Sequence, residues 1–437
     1  MILARSPPRP HHEVWRASVI ACPQPDVEAA GVPFSGMARE YEPNADFDLS
    51  LRPRWGGPPS SAAARQLDEL ALHFVLAGGA EDSVRLPGAL PVEFLASMER
   101  NRLAMPRITV RPAVDSGQTF TPFGWNDKAI ELNLSYSEPA PHPPLETVRR
   151  TNGRSFGAAA ERELVGPTYH VGECETVAAV ASSLAKATEA AYGWLAKSNH
   201  SNAGLGHRRL RQRDLSDTDR RWLQATFAQD DRVVLEPWCR RVVDLCSTLE
   251  LGTDGCVEDF AVHEIVNTAD GAFIGALFEP HSDVIARWQP DLRRTAEVTA
   301  SRLAQEGYFG PVCFDSFVWD DRGRQRLRPL ADLNARRHMS MAARRLWREW
   351  GTGDVLYWRM FTRRKLGLPD DHERLERELG RDGFCPNSRR GVLVASPLWI
   401  AWGGRRRSPR RLGVLFAGRS RKEVLGQESR FRERFER

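Results

Sequence analysis

The sequence predicts an α+β protein of more than one packed unit, and three observations carry that expectation. Between Trp194 and Leu333, strand-like segments cluster with only a few helices among them instead of alternating one for one. A chain of 437 residues is longer than one ordinary core organises. The run Pro139-Ala140-Pro141-His142-Pro143-Pro144 breaks helix and strand alike and marks a boundary. The proline run closes an α/β unit over 1–145; α+β units are expected over 146–230 and 231–395, with a basic extension over 396–437.

Residues 1–60 are rich in proline, arginine and glycine and show little periodicity. The apolar positions Leu67, Leu70, Leu72 and Phe74 to Leu76 then predict an amphipathic helix. Residues 82–110 read as a strand, a helix around Glu93–Glu99 and a second strand at Ile108–Val110. Past the boundary, one helix is expected over 145–164 and an alanine-rich one over Glu175–Tyr192. Trp194–Lys197 is a short strand ahead of a glycine-containing loop, and a polar helix covers 215–228. Arg232–Glu236 and Val242–Leu251 are strands, with Asp254-Gly255 turning the chain into the next. Ala261–Asn267 and Ala272–Leu277 continue the antiparallel pattern through Asp270-Gly271. A helix over Thr295–Glu306 ends at Gly307, and strands Val312–Trp319 and Leu327–Leu333 flank Asp320-Asp321-Arg322-Gly323. Strands between Val392 and Phe416 precede the tail, and no internal repeat is present.

Composition excludes several classes. Hydrophobic residues make up 41% and charged residues 27%, and no stretch approaches the ~20 apolar residues of a spanning helix, so no membrane is expected. Met1–Trp15 carries charge and prolines where a secretory signal would be apolar, so a cytoplasmic location is expected. The seven cysteines show neither CxxC pairs nor zinc-type spacing. The net charge of +5 divides into +8 over 401–437 and −3 over the rest. The basic run Gly404 to Arg411 could attract a polyanion, but no nucleic-acid motif accompanies it. Its expected role is a solvated turn between strands, and nucleic acid is not expected as a partner.

Four features in a fixed order carry the chemistry. The first is Lys197, at the end of a strand, with the small-residue loop Ser198 to Gly206. Such a loop lets backbone N–H groups approach phosphate oxygens while the lysine supplies a point charge. The second is Glu236-Pro237-Trp238 at a strand end, followed by Asp244, whose carboxylate could accept ribose hydroxyls. The third is Asp315, an acid among apolar strand residues that needs a partner or a metal. The fourth is Asp332-Leu333-Asn334-Ala335-Arg336, where alternation puts Asp332 and Asn334 on one face. If the two strands pair, two carboxylates and an amide oxygen make a hard-oxygen site for Mg²⁺, and Arg336 neutralises a developing oxyanion.

In this order the motifs resemble the ATP-grasp superfamily, with a layout similar to D-alanine–D-alanine ligase, biotin carboxylase and carbamoyl phosphate synthase. The resemblance covers about 145–345, including the glycine approach Gly307-Tyr308-Phe309-Gly310-Pro311 to Asp315. It implies two α+β subdomains sandwiching ATP behind a small α/β domain, and a ligase that couples a carboxylate to an amine. Lys197 and the loop residues Ser201, Gly204 and Gly206 would then contact the ATP phosphates. The backbone near Leu235–Trp238, with Glu236, Pro237 and Trp238, would hold adenine, and Asp244 the ribose. Asp315, Asp332 and Asn334 would bind Mg²⁺, with Mn²⁺ as an alternative, and Arg336 and Lys197 would act in catalysis. Arg154 stands where the superfamily carries an earlier basic residue, usually lysine, and Asp332 where it usually has glutamate. The partners implied are a small carboxylate and an amine, with a homodimer left open. A non-catalytic nucleotide-binding scaffold, and a polyanion binder driven by the tail, are the rival readings.

Overall fold

Four short strands form the first layer of the computed structural model, which describes residues 38–58, 60–113, 117–188, 190–201, 206–351 and 353–437. They are β1 (Arg39–Glu42), β2 (Ser83–Leu86), β3 (Arg107–Val110) and β4 (Thr119–Pro122), parallel and ordered β3-β2-β1-β4. Helices α1 (Phe47–Ser50), α2 (Ser61–Leu70), α3 (Val92–Arg100) and α4 (Asp127–Asn133) complete this α/β unit. The helix expected from Leu67 to Leu76 begins earlier, because the Ser60 side chain caps it by accepting from Ala63 N. It tightens into a 3-10 turn over Ala71–Phe74, where every residue is buried and no amphipathic period survives.

The helix expected over 145–164 is two, α5 (Leu145–Thr151) and α6 (Arg154–Val165). Gly153 is extended, with ψ at 133°, and Asn152 Nδ2 donates to Val148 O and Ala335 O. The break redirects the chain and makes Arg154 the first residue of α6.

A second, antiparallel sheet holds β5 (Gly172–Cys174), β6 (Trp194–Ser198), β7 (His207–Leu210) and β8 (Val233–Pro237) in the order β5-β8-β6-β7. Helices α7 (Val177–Lys186) and α8 (Asp217–Phe227) share its core of Val180, Leu184, Leu223, Val233 and Leu235. α7 stops at Lys186, short of the expected Tyr192, because Ala187 turns extended. Ser216 and Asp219 close a capping box at the start of α8.

The largest sheet has eight strands: β9 (Arg241–Leu251), β10 (Val257–Asn267), β11 (Phe273–Phe278), β12 (Gly310–Asp321), β13 (Arg324–Asn334), β14 (Val355–Thr362), β15 (Gly391–Val394) and, past the hairpin β16 (Ile400–Trp402) and β17 (Arg405–Arg407), β18 (Arg411–Gly418). Their order is β13-β12-β9-β10-β11-β14-β18-β15, antiparallel throughout. α9 (Asp283–Gln305) crosses it and starts well before the expected Thr295. Only its second half buries a regular stripe, Leu292, Thr295, Ala296, Thr299, Ala300 and Leu303, and the rest leaves little pattern to read. α10 (Met341–Glu349), α11 (His372–Leu379) and α12 (Arg421–Phe435) follow.

The stretch 396–437 is not an extension. β18 lies between β14 and β15, and α12 packs Val424, Phe431 and Phe435 against Phe416. Part of the basic run does form a turn between strands, in the β16–β17 hairpin, where Arg406 stacks over Trp399 at 4.5 Å. Among the described residues no helix is long and apolar enough to cross a membrane.

Candidate nucleotide site

A cavity of about 1340 Å³ opens against β6, β9, β12 and β13 and is closed on one side by α1 and α2. The β12–β13 ladder makes Asp315 and Asp332 direct Cα partners and sets Cys313 opposite Asn334. Directly opposed residues put their side chains on one face, so the two carboxylates meet at the cavity wall. Burial pushes the Asp315 carboxyl up, and the charges of Asp332 and Asp244 add to it, reaching about 7. Burial also opposes ionisation of Asp332, but Arg154, Lys197 and His207 outweigh it and hold that carboxyl below its usual value. Asp332 pairs with Arg154 (Nε at 3.2 Å and Nη2 at 3.3 Å), whereas Asp315 has no hydrogen-bond partner among the described residues. An unpartnered carboxylate beside a charged one is a donor set that a divalent cation fits. Asn334 Oδ1 adds a third oxygen, which Arg336 Nη2 contacts at 3.0 Å.

Arg154 is held as well as holding. Its Nη1 donates to Ser198 O at 2.5 Å and to Ser201 Oγ at 2.6 Å. Lys197 is buried, with Nζ on Glu236 at 2.9 Å and on Ala331 O at 2.9 Å. Burial lowers its ammonium pKa, against the pull of Glu236 and Asp332. Glu236 also accepts from Arg328 at 2.7 Å, and Arg328 in turn forks onto Glu161 at 2.8 Å with both nitrogens. Burial opposes the Glu236 charge, but Arg328 and Lys197 hold its carboxyl well below the ordinary range.

The start of the loop after Lys197 is tied down rather than loose. Ser198 Oγ donates to Asp230 at 2.7 Å, Asn199 Nδ2 to Asp231 at 3.1 Å, and His200 Nδ1 sits 3.2 Å from Asp230. Gly206 is needed where it is, because a Cβ there would collide with the Ser201 side chain. Gly204 lies outside the described residues.

Arg336 donates from Nε to Asp48 at 2.8 Å and lies over the Phe123 ring at 4.8 Å. Burial works against its charge, but Asp48 raises its pKa above the usual value. Asp244 also lines the cavity, engaged by Arg241 at 2.9 Å.

Glu236, Pro237 and Trp238 do not line the cavity. Lys197 and Arg328 occupy Glu236, β5 and β6 flank β8, and Trp238 stacks between Arg209 at 4.8 Å and Arg241 at 5.8 Å. Sequence reasoning missed Asp48, Arg52 and Arg328. Arg52 reaches in from beyond α1, with Nε on His200 O at 2.8 Å. Arg328 carried a signal: an arginine among Leu327, Pro329 and Leu330 in a strand must find buried acids.

The parallel first layer, the small antiparallel sheet and the acid-bearing large sheet together make the ATP-grasp fold. No protein-family model and no curated protein sequence matches the chain. Solved structures do. Phosphoribosylamine–glycine ligase from Thermotoga maritima aligns with TM-score 0.54 at 9% identity, over 91% of this chain and 97% of that one. N5-carboxyaminoimidazole ribonucleotide synthetase in its ADP complex aligns with TM-score 0.51 at 13% identity, over 91% and 96%. Pyruvate carboxylase from Rhizobium etli aligns with TM-score 0.53 at 12% identity, over 91% of this chain and 37% of its own.

Proposed function

We propose that the protein is an ATP-dependent ligase that activates a small carboxylate as an acyl phosphate and joins it to an amine. The observation that carries this reading is the convergence of Asp315, Asp332, Asn334, Arg336, Lys197 and Arg154 on one cavity. A fold shared with a synthetase crystallised with ADP supports it.

Lys197 and Arg154 would hold the nucleotide phosphates, with Ser201 and Gly206 shaping the backbone beside them, and Asp244 would take the ribose. Adenine would lie elsewhere in the cavity than against Glu236, Pro237 and Trp238, none of which lines it. Asp315, Asp332 and Asn334 would hold Mg²⁺, or Mn²⁺ in its place, which when bound shields the phosphate charge. A substrate carboxylate oxygen attacks the γ-phosphorus and the bond to the β–γ bridging oxygen breaks, releasing ADP. The amine nitrogen then attacks the acyl carbon, loses a proton and expels phosphate. Arg336 faces the negative charge that develops in both steps, so positioning and electrostatics supply the catalysis without a nucleophilic side chain. The cysteines among the described residues are unbridged, which suits a cytoplasmic enzyme.

One observation favours a second reading. Arg154 already satisfies both oxygens of Asp332, as it would in a nucleotide-binding scaffold that no longer turns over. Incubation with Mg-ATP and a metabolite extract, with mass detection of new amides and of ADP, separates the two. Release of ADP and phosphate with a new C–N product is expected; nucleotide binding without turnover on any fraction would leave the scaffold.

A further inference from the structure

The cavity continues well beyond the acid pair. Its volume of about 1340 Å³ exceeds the ~300–1,000 Å³ usual for one small ligand, which leaves room beside a nucleotide. At the end formed by β14 and β18 the lining turns basic. Arg364 and Arg411 both line it, and both are exposed. Pairing of Arg411 with Thr362 across the β14–β18 ladder brings the two arginines to one edge. Neither guanidinium has an acid or hydrogen-bond partner among the described residues. Arg410 beside them bonds Gln66 from Nη1 at 3.2 Å, and its backbone N donates at 3.0 Å to Glu69, the one carboxylate that its contacts bring to this end of the lining. Arg363, by contrast, is committed to Asp370 at 3.1 Å and to the carbonyls of Leu366 and Leu368.

His73 supplies the second, independent observation. It lines the same cavity, only 5% exposed, and neither ring nitrogen has a hydrogen-bond partner among the described residues. Burial and the nearby Arg411 press its pKa down to about 4, so at neutral pH it is an uncharged ring with one N–H to offer. A buried polar ring with nothing to bond is costly unless something else supplies the partner.

We propose that this end of the cavity is an anion subsite, in which Arg364, Arg411 and His73 take the carboxylate or phosphate of a small substrate whose reacting group lies at Asp315 and Asp332. The assignment of the reacting end rests on the ligase reading; the subsite itself does not. A substrate of this class is elongated, reactive at one end and anionic at the other. Arginines bind such a group with forked hydrogen bonds, and the histidine fixes its orientation.

The test is calorimetric titration of the full chain, first saturated with Mg²⁺ and a non-hydrolysable ATP analogue so that its phosphate site is filled. Inorganic phosphate and succinate are the probes, in separate titrations. The wild type should bind at least one of them; tighter phosphate assigns a phosphomonoester, tighter succinate a carboxylate. Both arginines are exposed, so the double variant R364S/R411S should fold and bind the analogue as before. Its anion affinity should fall about tenfold or more. Equal anion affinity in R364S/R411S, or none in a wild type that binds the analogue, overturns the subsite. Anion binding that R364S/R411S loses, in a protein that refuses the analogue, supports the subsite and removes the ligase reading alone.

Discussion

Arg336, two residues past the end of β13, donates from Nε to the Asp48 carboxylate at 2.8 Å, although they stand 288 positions apart in the chain. The contact ties the α/β layer to the large sheet at the candidate site. Both partners are almost fully buried, so removing one strands the other without water. Asp48→Ala should therefore destabilise the protein by roughly 3–5 kcal/mol, and Asp48→Asn by less, since an amide oxygen can still accept from Nε. Thermal denaturation of the pair measures this; equal melting of Asp48→Ala and wild type would show the contact to be idle.

Asp315 makes stability depend on pH in a particular direction. Its folded pKa of about 7 lies above the ordinary 3.8, so between those values the folded state holds the extra proton. Without metal, this group's contribution is full below about pH 4 and is lost as pH rises to about 7. Asp315→Asn should abolish that decline and melt higher than wild type at pH 8, by roughly 1–3 kcal/mol. Mg²⁺ should bind the wild type more tightly as pH rises through 7 and should do little for Asp315→Asn. Stability curves with and without Mg²⁺ check both, and a variant curve parallel to wild type across this range would count against the shifted acid.

Lys197 shares Glu236 with Arg328, so its loss leaves Glu236 still paired. Lys197→Ala should fold, yet bind Mg-ATP more weakly by the ~1.5–3 kcal/mol of a charged hydrogen bond. Calorimetry reads this directly, and an unchanged dissociation constant would take Lys197 out of the nucleotide site.

Asp332 separates charge from reach. Asp332→Asn keeps the shape but gives up the ion pair with Arg154 and the metal's anionic ligand, so turnover should fall by orders of magnitude. Asp332→Glu keeps the charge and must push Arg154 back by one methylene, so it should retain more activity than the asparagine variant. The measurement is steady-state ADP release with substrate present. Asparagine and wild type turning over alike would leave the metal to Asp315.

What the sequence disclosed depended on how local each signal was. Strands β9 to β13 were legible because alternation and the Asp-Gly turns lie within a few residues of one another. The Asp315–Asp332 pairing followed from that register. The break at Asn152-Gly153 was not legible, because the side chain that secures it reaches Ala335, far along the chain. The buried pairing of Glu236 was not legible either, because nothing near it in the chain announces Arg328. Asp48 and Arg52 sit in a stretch with weak periodicity and meet their partners only after folding. The basic tail misled for a different reason. Its charge dominates its composition, and although Leu412 to Phe416 read as a strand, nothing local to them announces the pairing with β14 and β15 that sets β18 inside the large sheet.

That placement bears on how the protein is made. β15 is translated before β18, yet β18 is its only strand partner among the described residues, and β14 likewise waits for β18 on one side. A nascent chain halted before Arg411 therefore carries two unpaired apolar edges, the kind of surface that chaperones and proteases recognise and that seeds aggregation. Translation through Gly418 closes both at once. A copy cut short of β18 would be visibly unfinished to the cell's quality control.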